Sequence, residues 1–340
     1  MDALRPSPAL RFGDGMKMEN LPVVSLAPMA GLTDWPLRVL CYRMGAQYAC
    51  SEMVSAIGLM CAKPGNDTYR RLLEVHPEEH NTACQLFGSD PVLMGEAAQK
   101  VTALNRFASL DINMGCPARK VVSGGDGSAL LLNPDRAFRV MEAVRQNTHL
   151  PVTVKTRLGY DDTAMNALPL AQAAQSLGLR WICIHGRTRQ QQYSGTADYA
   201  AIGRLREQLS IPVIANGDVD SPAAARRILA ETGAAGFMIG RAAMGNPWLF
   251  RAIRQDMAGE KITPVTLTER MDTALLQAEW MVQFKGERLG IVEMRKHVGH
   301  YISGIRGATA IRRELNLMTS LEQMRHLLDE LRAAEKEQME

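Results

Sequence analysis

An α/β fold, a (β/α)8 TIM barrel followed by a C-terminal all-helical domain, is what this 340-residue sequence predicts. Three observations carry the prediction. Eight short apolar runs recur along the chain with helical patterns between them, the signature of strand–helix units and a parallel sheet. Nearly every run delivers a polar residue at or just past its end, the position that faces the active-site rim in a barrel. Beyond about Arg251 the strand-like runs stop and only helical periodicity remains.

The strands are predicted at Val23 to Ala27, Tyr48 to Ser51, Ala83 to Leu86, Leu110 to Asn113, Val152 to Lys155, Trp181 to His185, Val213 to Asn216 and Gly236 to Ile239. Segments between them, such as Asp90 to Asn105, Asn133 to Asn147, Asn166 to Leu177 and Ser221 to Thr232, open on capping residues and carry apolar positions at helical spacing. An open doubly wound sheet is the structural alternative. Its G-x-G-x-x-G fingerprint is missing from the first strand–helix turn, where Pro28-Met29-Ala30-Gly31 stands. Past the barrel, Gly259 to Pro264 reads as a linker. Helices are then expected over Thr266 to Phe284, Leu289 to Ser303, Thr309 to Leu315 and Leu321 to Glu337. The expected division is an N-terminal extension over 1–20, a catalytic barrel over 21–255 and a helical domain over 265–340. The extension contains Pro6 and Pro8, lacks periodicity and is expected to be disordered.

A hydrophobic fraction of 46% supports a large core, and the net charge of +3 leaves any acidic partner to a local patch. The six cysteines, at 41, 50, 61, 84, 116 and 183, form neither a C-x-x-C pair nor a zinc-finger spacing. This argues against a disulfide framework and a structural metal, and predicts reduced thiols in a cytoplasmic protein. Cys41, Cys50, Cys61 and Cys84 are expected to be core thiols. Charges from Asp2 to Glu19 interrupt the start of the chain, and no later run is long enough to span a bilayer, so neither a signal peptide nor a membrane segment is expected.

The candidate site residues are those the strands deliver: Pro28, Glu52, Gln85, Asn113, Lys155, His185, Asn216 and Gly240-Arg241. Any one of them is compatible with a satisfied core residue. A full set on otherwise apolar strands is harder to explain that way, because each needs a partner to offset its desolvation. Within the run Asp111 to Pro117, Cys116 lies between a glycine that permits unusual backbone angles and a proline that forbids helix continuation, an exposed turn for a thiol. Asn216-Gly217-Asp218 and Gly240-Arg241 follow strands seven and eight, where barrels commonly bind phosphate, and Arg241 would add a bidentate contact. Lys155 is then a cation at the other end of the same ligand. A phosphate at one end and a group that gains negative charge at the other describe flavin mononucleotide, FMN.

These residues sit in motifs that resemble the tRNA-dihydrouridine synthase family, in particular its bacterial B-type members. The motifs are Ala27 to Asp34, Gln85-Leu86-Phe87-Gly88, Asp111 to Val122, Val154 to Arg157, Ile184 to Arg189 with Tyr193 and Gly195, Ala215 to Asp218 and Ile239 to Ala242. They recur in family order over Leu21 to Phe250, and the correspondence continues into Lys296-His297.

The resemblance implies FMN-dependent, NADPH- or NADH-driven reduction of the C5–C6 double bond of particular D-loop uridines in tRNA. It implies that Cys116 protonates C5. It implies a flavin set of Pro28, Met29, Ala30, Gln85, Lys155, His185, Asn216, Gly217, Asp218, Gly240 and Arg241, with Asn113 contacting flavin or substrate. The tail from Lys285 to Arg313 carries Lys285, Arg288, Arg295, Lys296, Arg306, Arg312 and Arg313 against Glu287 and Glu293, a surplus of five. Such a run is as often a solvated face as a phosphate-binding patch; the resemblance tips Lys296, Arg306, Arg312 and Arg313, with Arg119 and Lys120 beside the thiol, toward tRNA. A monomer is expected. Three other readings stay open on the residues alone: a flavin enzyme acting on a free pyrimidine, a Schiff-base aldolase using Lys155, and a non-catalytic RNA-binding protein.

Overall fold

The computed structural model describes residues 22–339, with side chains described as far as residue 333, so the expected extension over 1–20 lies outside the described residues. Its strands are β1 (Val23–Leu26), β2 (Tyr48–Cys50), β3 (Val54–Ser55), β4 (Thr82–Phe87), β5 (Ser109–Met114), β6 (Val152–Arg157), β7 (Trp181–His185), β8 (Val213–Asn216) and β9 (Gly236–Ile239). All are parallel in the order β2-β1-β9-β8-β7-β6-β5-β4-β3, and a β2–β4 pairing closes eight of them into the predicted barrel. The ninth strand, β3, is two residues paired to the end of β4 through Val54 and Leu86. Two residues are too few to show a period in the sequence.

The apolar runs form strands because both of their faces are covered. One face packs Leu26, Leu86, Leu110, Ile112, Val154 and Ile182 against the surrounding helices, all fully buried and each stabilising by about 1.5–3 kcal/mol. The other face fills the barrel floor with Val23, Tyr48, Cys50, Ala83, Trp181, Cys183, Ile214 and Met238. The surrounding helices start where capping chemistry dictates. Asp90, Asn133 and Ser221 each accept a hydrogen bond from the first turn of Pro91–Thr102, Pro134–Gln146 and Pro222–Thr232, and each is followed by a proline whose missing N–H costs nothing there.

After the helix Trp248–Met257, residues 260–266 carry no regular structure, and four helices follow: Leu267–Lys285, Glu287–Tyr301, Ala308–Leu315 and Leu321–Met339. They enclose a separate cluster built on Met271, Met281, Met294, Tyr301, Leu315 and Met324. Gly290 lets the first two of them approach, since a Cβ there would lie 2.7 Å from the Met281 carbonyl oxygen. The unit docks on the barrel through Trp35, which stacks on His76 at 4.7 Å and meets Trp280 and Phe284 at 5.6 Å. Among the described residues no helix is long and apolar enough to cross a membrane.

Two expectations need correction. Lys285, counted in the basic run, does not face solvent: its side chain is 6% exposed and its Nζ lies 2.6 Å from Asp34 and 2.5 Å from Glu293. A lysine so paired joins the helical unit to the barrel and is not available to phosphate. Cys61, expected in the core, is exposed at the end of the helix Ala56–Cys61, whereas Cys41, Cys50 and Cys84 are buried as expected. Burial pushes the Cys84 thiol up to about 12 and that of Cys41 higher still.

Candidate active site

The strands end on one cavity of about 1010 Å³ at the mouth of the barrel. Pro28, Met29, Ala30, Gln85, Lys155, His185, Asn216, Gly217, Asp218, Gly240 and Arg241 all line it, and so do Asn113, Cys116 and Arg119. Lys120 does not, and neither does Glu52, whose Oε1 accepts from the Gly31 N–H at 2.5 Å. Lys296, Arg306, Arg312 and Arg313 stand exposed on the C-terminal helical unit, away from this lining. Asn113 and Lys155 are not strand ends as expected, since β5 runs one residue and β6 two residues further, and Gln85 lies two residues inside the end of β4.

Alternation explains which residues reach the interior. On β6, Thr153, Lys155 and Arg157 share one face, and on β5, Ser109, Asp111 and Asn113 do so. The deeper member of each set is buried, and Lys155 and Asn113 emerge at the cavity. Arg157, the residue that ends β6, is 3% exposed and also lines the cavity, its Nε donating to the Gly115 carbonyl at 2.9 Å and its Nη1 to the Thr188 and Gln192 carbonyls. Neither Arg157 nor Asp111 was singled out from the sequence, although a period of two counted back from Asn113 marks Asp111.

Asn216 organises the far wall. Its Nδ2 donates to the Met238 carbonyl at 2.7 Å, which leaves Oδ1 to accept from Lys155 Nζ at 2.9 Å. The same oxygen lies 3.0 Å from His185 Nδ1, so Nδ1 carries the ring proton and Nε2 faces Arg187 Nη1 at 3.3 Å as acceptor. Burial first, then the charges of Lys155, Arg157 and Arg187, push His185 down to about 2, so the ring is neutral at any working pH. Arg187, 2% exposed, also reaches the Ser194 and Gly195 carbonyls and Asp218 at 2.6 Å. Burial raises the Asp218 carboxyl, but hydrogen bonds from Arg187 and the Ala197 N–H outweigh it and hold it below its ordinary value. Arg241 lies 3.9 Å from Asp218 and 4.3 Å from the centre of the Tyr193 ring, which is half exposed at the mouth.

Cys116 stands on a turn held from both sides. Its N–H donates to Asn113 Oδ1 at 2.9 Å, and its carbonyl accepts from the Ser128 N–H at 3.1 Å and from Ser128 Oγ at 2.9 Å. Gly127, at φ 58°, passes so close that a Cβ there would lie 2.9 Å from the Cys116 carbonyl oxygen. The cavity therefore presents a partly buried cysteine, a neutral imidazole, and the cations Lys155, Arg157, Arg119 and Arg241 around a space large enough for a sizeable anionic ligand.

The model of the dihydrouridine synthase (Dus) family matches residues 25–338. The chain belongs to that family. Among relatives, the tRNA-dihydrouridine synthase B of Vibrio cholerae serotype O1 is 41% identical over 94% of this chain and 98% of its own length. The tRNA-dihydrouridine synthase B of Pseudomonas aeruginosa is 40% identical over 86% of this chain and 87% of its own. A protein of Rhodobacter capsulatus named a probable tRNA-dihydrouridine synthase is 42% identical over 85% and 88%. The dihydrouridine synthase family is one of flavin-dependent oxidoreductases, and membership makes this chain an enzyme of that class.

Proposed function

We propose that this chain reduces the C5–C6 double bond of specific D-loop uridines in tRNA to 5,6-dihydrouridine, with FMN as its cofactor and NADPH or NADH as reductant. The observation that carries the reading is a single thiol, Cys116, on the wall of the cavity where Lys155, His185, Asn216 and Arg241 converge. The residues present fit FMN. A Cβ built on Gly240 would meet nothing nearer than 3.9 Å, so ligand can approach the backbone there closely, and four cations line the space. Pro28, Met29, Ala30, Gln85, Lys155, His185, Asn216, Gly217, Asp218, Gly240 and Arg241 would hold it.

When bound, the reduced flavin supplies a hydride for uracil C6. C5 then carries enolate character and needs a proton, which the Cys116 thiol delivers from its half-exposed turn. Lys155 and Arg157, both on the cavity wall, would offset the negative charge that the uracil and flavin rings gain. Neutral His185 presents no competing acid to the cavity. The target base has to leave its stack to reach this depth. Asn113 would contact the extruded base or the flavin, and Arg119 and Lys120 the neighbouring backbone. We assign the barrel, 21–255, to catalysis and the helical part, 265–340, to tRNA, through Lys296, Arg306, Arg312 and Arg313.

The test is incubation of purified protein with NADPH and unmodified tRNA transcript, followed by nucleoside mass analysis. Uridine gaining two hydrogens, with a flavin spectrum that bleaches and then recovers on tRNA, is expected; a colourless protein that leaves uridine untouched would overturn the reading. Arg241→Ala is expected to weaken retention of flavin on dialysis by about 10–100-fold, the loss of one charge-assisted contact. Unchanged yellow colour after dialysis would take Arg241 out of the phosphate site.

A further inference from the structure

We infer that Asp111, buried below the cavity and not part of its lining, is a positioning residue that fixes the polarity of a hydrogen-bonded relay ending at the Cys116 turn. The N–H groups of Cys116 and Gly115 both donate to Asn113 Oδ1, at 2.9 and 3.2 Å. A backbone N–H only donates, so the oxygen of this amide faces the turn and its nitrogen faces back, donating to Gln85 Oε1 at 2.9 Å. Gln85 Nε2 is thereby turned toward Asp111 Oδ2 at 2.7 Å, and the other carboxylate oxygen accepts from Thr153 Oγ1 at 2.5 Å.

Sheet register builds the lower half of this relay. Gln85 of β4 stands beside Asp111 of β5, and Asp111 beside Thr153 of β6. Asn113 lies two residues on from Asp111 and so on the same face. Rotating the Gln85 amide by a half turn would set two acceptors together at Asp111 and two donors together at Asn113. At 1–2% exposure for Gln85 and Asp111, the clash at the carboxylate is shut off from water. Position 111 must therefore accept. The result is one orientation each for Gln85 and Asn113 at the cavity and one for the turn that carries the thiol. Burial holds the Asp111 carboxyl above its ordinary value, and the Gln85 and Thr153 bonds and the charge of Lys155 draw it only part of the way back.

The kinetic consequence rests on Cys116 as proton donor; the geometric one does not. The experiment compares Asp111→Leu, Asp111→Asn and Thr153→Val in the full-length protein. One readout is iodoacetamide alkylation of Cys116 by peptide mass analysis, with exposed Cys61 as internal control; the other is kcat and KM on tRNA transcript. Asp111→Leu is expected to change the Cys116 rate relative to Cys61 by about fivefold or more. It should cut kcat by about 10–100-fold, with the KM for tRNA within about twofold. Asp111→Asn keeps an acceptor for Gln85 and turns its own nitrogen to Thr153, so both readouts should stay within about 1.3-fold of the parent. If Asp111→Leu fails to fold, Thr153→Val, which removes only one anchor of the carboxylate, should still shift Cys116 alkylation by about twofold. Parental alkylation in the folded Leu variant, or in the Val variant where Leu does not fold, would overturn the inference, and so would an Asn variant as impaired as Leu. Full turnover by Cys116→Ala would instead overturn the proton-donor reading and leave the alkylation result standing.

Discussion

Cys116→Ala is expected to fold, to keep flavin and to bind tRNA, while its turnover falls by about 10²–10⁴-fold, the range that a positioned general acid supplies. The turn does not depend on the sulfur. Its N–H is held by Asn113 and its carbonyl by Ser128, both through the backbone, and the Gly115 carbonyl is held by Arg157. Alanine removes only the sulfur of this partly buried residue and leaves each of these bonds in place. What it removes is the proton for C5. Cys116→Ser separates this role from simple space filling, because a hydroxyl of similar size is a far weaker acid, and it should recover little of the loss. Single-turnover formation of dihydrouridine, read by nucleoside mass analysis alongside tRNA affinity, is the measurement. Parental rates in the alanine variant would mean that another group protonates C5.

The eight barrel strands, and the polar residues and the turn thiol that they deliver to the cavity, were legible in the sequence because each is a local signal: an apolar run, a turn residue, a polar residue near the end of a run. Met29 and Ala30 carry no such signal and entered only through the resemblance. What escaped was of three kinds. Asp111, Thr153 and Arg157 belong to the alternating inner face of β5 and β6, and attention to strand ends passes over the residues two places away. Lys285 was misread for a different reason. Its partner Asp34 lies 251 residues away in the chain, and no window of sequence shows that a lysine in a basic run is neutralised by so distant a carboxylate. Cys61 failed on length, since a six-residue helix is too short for its sequence to show which side faces water.

Glu79→Ala is expected to produce the largest stability loss of any substitution outside the cavity, about 3–5 kcal/mol, because it breaks one half of a fully buried ion pair. The Arg38 and Glu79 side chains are 2% and 0% exposed and meet in a bidentate pair, Nε to Oε1 at 2.5 Å and Nη2 to Oε2 at 3.0 Å. Each partner does more than meet the other. Arg38 also donates to the Thr33 and Glu74 carbonyls, and Glu79 accepts from Thr82 Oγ1 and the His76 N–H. The pair thus ties the helix Trp35–Arg43 and the turn after β1 to the loop that enters β4. Alanine would leave the guanidinium buried without its counter-charge. At roughly 2–4 °C per kcal/mol for a unit of this size, the thermal midpoint should fall by roughly 6–20 °C. The double variant Arg38→Met, Glu79→Leu tests the cause: with both charges gone and the volume kept, it should be more stable than Glu79→Ala alone. A fall of under about 1 kcal/mol for the single variant would show that the Arg38 bonds to Thr33 and Glu74 hold this corner without the pair, and a double variant that is worse still would show that the stranded charge is not the cause of the loss.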